Sequence, residues 1–200
     1  MISKKTTIYL VRHAMAAGNK MRAFHGHTDG ALVDEGAAQL PLLTRRFADI
    51  PLDAVYSSDL TRARLTAEAL DDARDLPVFT TPLLREIHAG KWEGMMYDDI
   101  LAKYPDMLNM FLSGDPDCRP YGGESIAEVM ERMRGAVDTI AGKHRGQAIA
   151  IVSHGGALRA YLTSACGYNQ SVPNASVSCV EYYGETVKLI YAGDVGHLAI

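Results

Sequence analysis

Cysteine is scarce in this 200-residue chain, and Cys118, Cys166 and Cys179 lie far apart with no CxxC pair among them. That spacing excludes a zinc knuckle and a dithiol redox motif, and it reads as small buried apolar residues of a reducing compartment. Long apolar runs are also missing. The run Ile8 to Val11, behind Lys4 and Lys5, is too short for a signal peptide, and nothing approaches membrane-spanning length. An excess of positive charge is absent too: the formal net charge of −4 argues against nucleic acid or an anionic membrane as a partner. Without internal repeats or low-complexity linkers there is no boundary to draw, so residues 1–200 are expected to form one cytoplasmic domain. The balance of 48% hydrophobic and 22% charged residues suffices for a sizeable core.

What is present alternates between β-prone and helical patterns. Thr7 to Val11, Asp53 to Ser57 and Ala148 to Val152 are continuous apolar runs, as expected of strands covered on both faces, and Val78-Phe79 is a weaker one. Helical patterns cover 34–48, with Asp34 as N-cap and Pro41 kinking or shortening it, and 59–73. Ser125-Ile126-Ala127-Glu128 is a capping box opening a helix through Ala141, ending before Gly142. A further helix from Gly156 to Ala165 stops at Gly167, and 177–183 with 186–192 form a hairpin through Gly184. The pattern indicates an α/β layered sheet. Residues 86–124, rich in Met, Tyr, Asp, Pro and Gly with short helical pieces such as Asp98–Tyr104, read as an insertion over one end of it.

The polar residues fall where ligands bind in open α/β sheets, beyond the C-terminal strand ends. Arg12 and His13 follow the first strand; Ser57, Ser58, Asp59 and Arg62 follow the second; Arg85 and Glu86 follow the weak one; Ser153, His154, Gly155 and Gly156 follow 148–152. Taken singly, each has an ordinary reading as a surface turn, a solvated helix residue or an exposed acid. Together they deliver two arginines, two histidines and a glutamate to one place. Guanidinium forks match phosphate oxygens, a neutral imidazole can attack phosphorus, a second can donate to the equatorial oxygens, and a carboxyl group can shuttle the proton. With two arginines supplying charge, no metal or other cofactor is needed.

Phe24-His25-Gly26-His27-Thr28-Asp29-Gly30 spaces two histidines and an aspartate like zinc ligands. A zinc hydrolase would place such a motif directly after a buried strand, with further histidines downstream. Here residues 18–23 are polar and loop-like, and His88, His144 and His197 show no ligand spacing.

LVRHAMAAGN (Leu10 to Asn19) resembles the signature of the histidine phosphatase superfamily, the phosphoglycerate-mutase-like fold. HGHTDGALVDEG, YSSDLTRARLTAEAL, LREIHAGKWEGM, YGGES and IVSHGGALRA continue the likeness in the family's order over most of the chain. The resemblance implies a three-layer α/β/α sandwich around a mixed, mainly parallel sheet, with a small helical insertion, 86–124, roofing the C-terminal strand ends. It implies His13 as the phosphorylated nucleophile, Arg12, Arg62 and His154 as the rest of the phosphate pocket, Asn19 as an added donor, and Glu86 as proton donor and acceptor. The family's core chemistry is metal-free. By the same likeness FHGHTDG is a wall of the pocket: Gly26 lets backbone approach the phosphate, His25 touches substrate, His27 is exposed and Asp29 forms a turn. Gly155 belongs with these as a phosphate-side residue. Two positions depart from the pattern: Ala14 stands where the family mostly has glycine, and Met15 where Glu or Gln is common.

The family's mutases hold a glycerate carboxylate with a basic Arg-Arg pair in the insertion. Here that segment has Lys91, Lys103 and Arg119 and no such pair, and GKWEG followed by YGGES looks like the broad phosphatase branch. The expectation is a phosphatase acting on a small phosphorylated metabolite, with phosphoglycerate mutase as runner-up and a non-catalytic phospholigand binder as the remaining alternative. Phe24, His25, His88, Tyr97, Arg119 and Tyr121 are the candidates for the leaving-group side. Oligomeric state is not legible.

Overall fold

The computed structural model describes residues 5–70 and 76–199. Its strands are β1 (Thr6–Arg12), β2 (Ala54–Ser57), β3 (Val78–Thr80), β4 (Ala148–Ser153), β5 (Val177–Tyr183) and β6 (Thr186–Asp194), in one sheet ordered β3-β2-β4-β1-β5-β6. The first four strands pair in parallel, while β5 runs antiparallel to both β1 and β6. The helices are α1 (Ala17–Met21), α2 (Asp34–Phe47), α3 (Thr61–Ala69), α4 (Tyr97–Lys103), α5 (Pro105–Ser113), α6 (Ile126–Lys143) and α7 (Gly155–Cys166).

Alternation along the central strands builds the layers. Ile8, Leu10, Ile149 and Ile151 pack with Met133, Val137 and Ile140 of α6 and Leu158 and Tyr161 of α7. Val11, Val55, Ala150 and Val152 face the other way, onto Leu43 and Phe47 of α2 and Ala63 and Ala67 of α3. The result is the expected α/β/α sandwich with a mixed, mainly parallel sheet. Within 86–124, Ala89, Trp92, Ile100 and Leu108 make a smaller cluster against Phe24 and Phe111. Trp92 is fully buried there, so truncating it to alanine should cost about 3–5 kcal/mol. Among the described residues, no helix is long and apolar enough to cross a membrane.

Register brings the strand ends together. β1 and β4 pair with Arg12 opposite Ser153, so the next residues, His13 and His154, leave adjacent strands side by side. The amide of His13 donates to Ser153 O at 2.9 Å, and Ser58 N donates to Val152 O at 3.0 Å from the far side of β4. From β3, Thr81 N bonds Ser57 O at 2.9 Å and a 3-10 turn at Pro82–Leu84 carries the chain on to Glu86.

Several local expectations are corrected. Val33 occupies the cap of α2 and Asp34 its first helical position, where it and Glu35 complement the positive end of the helix. Pro41 does not shorten α2, which runs on to Phe47; both Pro41 and Ala37, whose carbonyl loses its partner, are exposed, so solvent can take that bond. The helix expected over 59–73 starts at Thr61 and runs to Ala69, and residues 71–73 lie outside the described residues. The capping box of Ser125 and Glu128 is present, but α6 passes through Gly142 to Lys143; a glycine inside a helix costs only about 0.5–1 kcal/mol. The segment read as loop-like before FHGHTDG contains the short helix α1, and α5 is one of the short helical pieces expected in 86–124, its range unmarked in the sequence.

Candidate active site

His13 is buried, and its Nδ1 lies 2.7 Å from the carbonyl oxygen of Ala14. A carbonyl only accepts, so Nδ1 carries the proton and Nε2 of the neutral ring carries the lone pair. Burial, then the charges of Arg12 and Arg62, hold the His13 imidazole well below its ordinary value. The ring is therefore neutral at physiological pH. His154 is fully buried beside it, with ring centroids 5.0 Å apart, and neither of its ring nitrogens has a hydrogen-bond partner among the described residues. Burial, followed by repulsion from His13 and the arginines, depresses His154 likewise.

The two guanidinium groups are oriented by neutral carbonyls rather than by carboxylates. Arg12 donates through Nη1 to Val172 O at 2.6 Å. Arg62, buried, donates through Nη1 to Thr28 O at 2.9 Å and through Nη2 to Gly26 O at 2.8 Å. Such partners fix direction without neutralising charge, which stays available for an anion. Two glycines make room. A Cβ on Gly155 would meet Arg12 Cζ at 2.9 Å, and one on Gly156 would meet Glu86 Oε1 at 2.7 Å.

Glu86 sits at the N-terminus of α7. Its Oε2 accepts from Gly156 N at 2.8 Å, and its Oε1 from Ala157 N at 2.7 Å and Ile87 N at 2.9 Å. Asn19 accepts through Oδ1 from Ala16 N at 3.0 Å and Asn174 Nδ2 at 3.2 Å, so donation to a ligand falls to its amide nitrogen. Arg12, His13, Asn19, His25, Gly26, Arg62, Glu86 and Gly155 all border one cavity of about 300 Å³. His154, expected as part of the phosphate pocket, is not among the residues bordering it and packs instead on the His13 ring.

FHGHTDG is only partly as expected. His25 lines the cavity, its ring packed on Gly18. Gly26 lines it too, but its positive φ of 43° and a Cβ position 2.1 Å from Glu93 Oε1 show that crowding against Glu93 is what requires glycine. His27 is half-buried rather than exposed, with Nε2 donating to Glu86 O at 2.9 Å. Asp29 does more than turn the chain: it caps α3 from outside, accepting from Thr61 N at 2.8 Å and Thr61 Oγ1 at 2.6 Å. Among the described residues, no group of three or more His, Cys, Asp or Glu side chains is arranged to hold a metal ion.

On the leaving-group side, Phe24, His25 and Tyr97 line the cavity, whereas His88, Arg119 and Tyr121 do not. Arg119 forks onto Glu128 at 2.6 and 2.8 Å, the His88 ring packs on His27, and Tyr121 is exposed beside Lys91. Phe111, Ile126, Met130 and Arg159 are lining residues that sequence reasoning missed. Arg159 was findable, since it lies one helical turn beyond Gly155 on the same face of α7. Asn174, which also donates to His13 O at 3.0 Å, was not, because nothing in the sequence tells that β5 pairs with β1. Ala14 needs no glycine: the positive-φ non-glycine residues described are Arg22 and Ala175, and the Ala14 methyl is buried in the core. Met15 is not among the residues lining the cavity.

Residues 8–194 match the family model described as the histidine phosphatase superfamily, branch 1. The chain is 33% identical to the "Metal-independent phosphoserine phosphatase" of Arabidopsis thaliana, covering 98% of this chain and 85% of that one. It is 32% identical to the "Probable phosphoglycerate mutase GpmB" of Erwinia tasmaniensis, covering 96% and 94%. Among solved structures, YhfR of Bacillus stearothermophilus superimposes with a TM-score of 0.91 at 31% identity, over 96% of this chain and 99% of that one. Overall identity thus does not separate phosphatase from mutase.

Proposed function

The chain belongs to the histidine phosphatase superfamily, branch 1, and from that membership we propose that it is a metal-independent phosphatase of small organic phosphate monoesters. The observation that carries this reading is the committed Nδ1 of His13, which leaves the lone pair on Nε2 beside two guanidinium groups hydrogen-bonded to carbonyls rather than to carboxylates. In the proposed reaction Arg12 and Arg62 bind the phosphoryl oxygens and His13 Nε2 attacks phosphorus. Glu86 protonates the departing alkoxide, giving an alcohol and a phosphohistidine. Water then attacks the phosphohistidine, Glu86 takes its proton, and inorganic phosphate leaves with His13 restored. Asn19 adds a donor beside the phosphoryl group, and His154, packed on the His13 ring, supports the nucleophile from beside it.

The rest of the cavity suits a small alcohol with apolar character, being walled by Phe24, Phe111, Ile126 and Met130. A phosphoglycerate mutase is the alternative, and it needs cations for a carboxylate beside the phosphate. Lys91, Lys103 and Arg119 of the insertion all stay off the cavity wall, which favours hydrolysis. Arg159 of α7 does line it, donating to Phe111 O, Leu112 O and Asn169 Oδ1, and is the cation a substrate carboxylate would meet. We read 1–200 as one domain with 86–124 as its lid, in the cytoplasm, where Cys118, Cys166 and Cys179 remain free thiols. The test is phosphate release from p-nitrophenyl phosphate in the presence of EDTA. Sustained turnover supports the proposal; efficient interconversion of 2- and 3-phosphoglycerate without phosphate release would overturn it.

A further inference from the structure

Glu93 is half-buried, and its carboxylate is occupied by the protein itself. Oε1 accepts from His27 N at 2.9 Å and Ala89 N at 3.0 Å, and Oε2 accepts from Thr28 N at 3.0 Å and Thr28 Oγ1 at 2.7 Å. Burial alone would raise this group; the bonds from Thr28, Ala89 and His27 outweigh it and hold the carboxyl below its ordinary value. The charge is thus spent on loop amides and one hydroxyl.

What those amides belong to gives the arrangement its meaning. The loop at 26–28 supplies the two carbonyls, Gly26 O and Thr28 O, that receive both terminal nitrogens of Arg62. Gly26 packs so closely on Glu93 that any Cβ would collide with its oxygen. Nearby backbone is fixed independently: Phe24 N bonds Met95 O at 2.9 Å, Gly94 N bonds Phe24 O at 2.7 Å, and Tyr97 N bonds Arg22 O at 2.9 Å. Removing the carboxylate should therefore loosen 26–28, leaving it the Thr28 N bond to His25 O at 2.6 Å, the His27 ring on Glu86 O and the Arg62 guanidinium, while 22–24 and the 92–97 strip stay in place.

We propose that Glu93 is a positioning residue for Arg62, pinning the 26–28 loop so that its carbonyls aim the guanidinium at the phosphoryl oxygens. The inference rests on Arg62 being a phosphate ligand, as proposed above. Glu93 touches no substrate; its effect on phosphate binding passes through Arg62, while the His27 ring of the same loop, with Nε2 2.9 Å from Glu86 O, also ties the loop to Glu86.

A double-mutant cycle tests this, with Glu93→Ala, Arg62→Ala and the pair, read as inhibition by inorganic phosphate, kcat/KM on p-nitrophenyl phosphate, and the thermal midpoint. Glu93→Ala should weaken phosphate inhibition and lower kcat/KM roughly tenfold, the loss expected when a charge-assisted set of bonds orienting a ligand is removed. Added to Arg62→Ala, it should change phosphate inhibition by less than about twofold, because the two act as a unit. A merely structural role would shift the thermal midpoint and multiply with Arg62→Ala instead, and that outcome overturns the proposal. So does unaltered phosphate inhibition in Glu93→Ala. If Arg62→Ala itself leaves phosphate inhibition intact, the phosphate-site reading falls, and this inference with it. Should the alanine variant not fold, the isosteric Glu93→Gln carries the same cycle with a smaller expected loss, since one oxygen still accepts.

Discussion

The imidazole rings of His13 and His154 lie with centroids 5.0 Å apart and planes at 58°, because β1 and β4 run parallel with Arg12 opposite Ser153. Two residues more than a hundred positions apart in sequence are thus placed by strand register alone, and burial, with the guanidinium groups of Arg12 and Arg62 adding to it, keeps both rings neutral.

That neutrality has a consequence for stability. Burial first, then the neighbouring arginines for His13 and the His13 ring with the arginines for His154, holds both imidazoles well below their ordinary value. The unfolded chain then binds protons at pH values where the native chain does not, so stability is full above about pH 6.5 and falls as pH drops below it, towards the folded values. His25, His27 and His197 are lowered in the same direction. Thermal midpoints should therefore fall between about pH 7 and 5, and the slope should be shallower in His154→Asn, which removes one of the two strongest contributors. An unchanged slope would contradict the assignment.

Glu86 is held by three backbone amides at the head of α7. Glu86→Gln preserves its shape and removes its proton. Steady-state kcat should fall about 10²–10⁴-fold, with inhibition by inorganic phosphate largely retained. The loss in the first step should be greater for alkyl phosphates than for p-nitrophenyl phosphate, whose leaving group departs without protonation. Equal losses for both would remove Glu86 from the role of acid.

Gly155 and Gly156 separate the two halves of the site. Gly155→Ala pushes on Arg12, and Gly156→Ala pushes on Glu86. The first should raise the phosphate inhibition constant and the second should lower kcat, each by about tenfold or more, since a shift near 1 Å in a reacting group can cost 10²-fold. Kinetics on both variants beside their thermal midpoints check this; matching losses in the same parameter would argue for general damage instead.

Much of this was legible in the sequence, for physical reasons that also mark the limits. Val11 and Val152 belong to continuous apolar runs, which only strands buried on both faces require, and the residues that follow such strands converge in a parallel sheet. Hence His13, Arg62, Glu86 and His154 could be gathered without coordinates. α1 could not be seen, because five residues make too short a period, and α5 could not be given a range, because it begins with Pro105 in a segment of mixed character. His27 looked like a ligand or a solvated side chain, yet its ring secures the Glu86 backbone. Arg119, a free cation by composition, is tied to Glu128 nine residues on. Partners fixed by tertiary folding leave no trace in spacing.

The central claim is that phosphate passes through His13 Nε2. Mixing the protein with a phosphate-labelled monoester, quenching rapidly in alkali and mapping the peptides tests it most directly. Label on the peptide carrying His13, lost on chase as inorganic phosphate is released and absent in a folded His13→Ala variant, is the predicted result. Turnover with no label on that peptide, or full activity in His13→Ala, would contradict it.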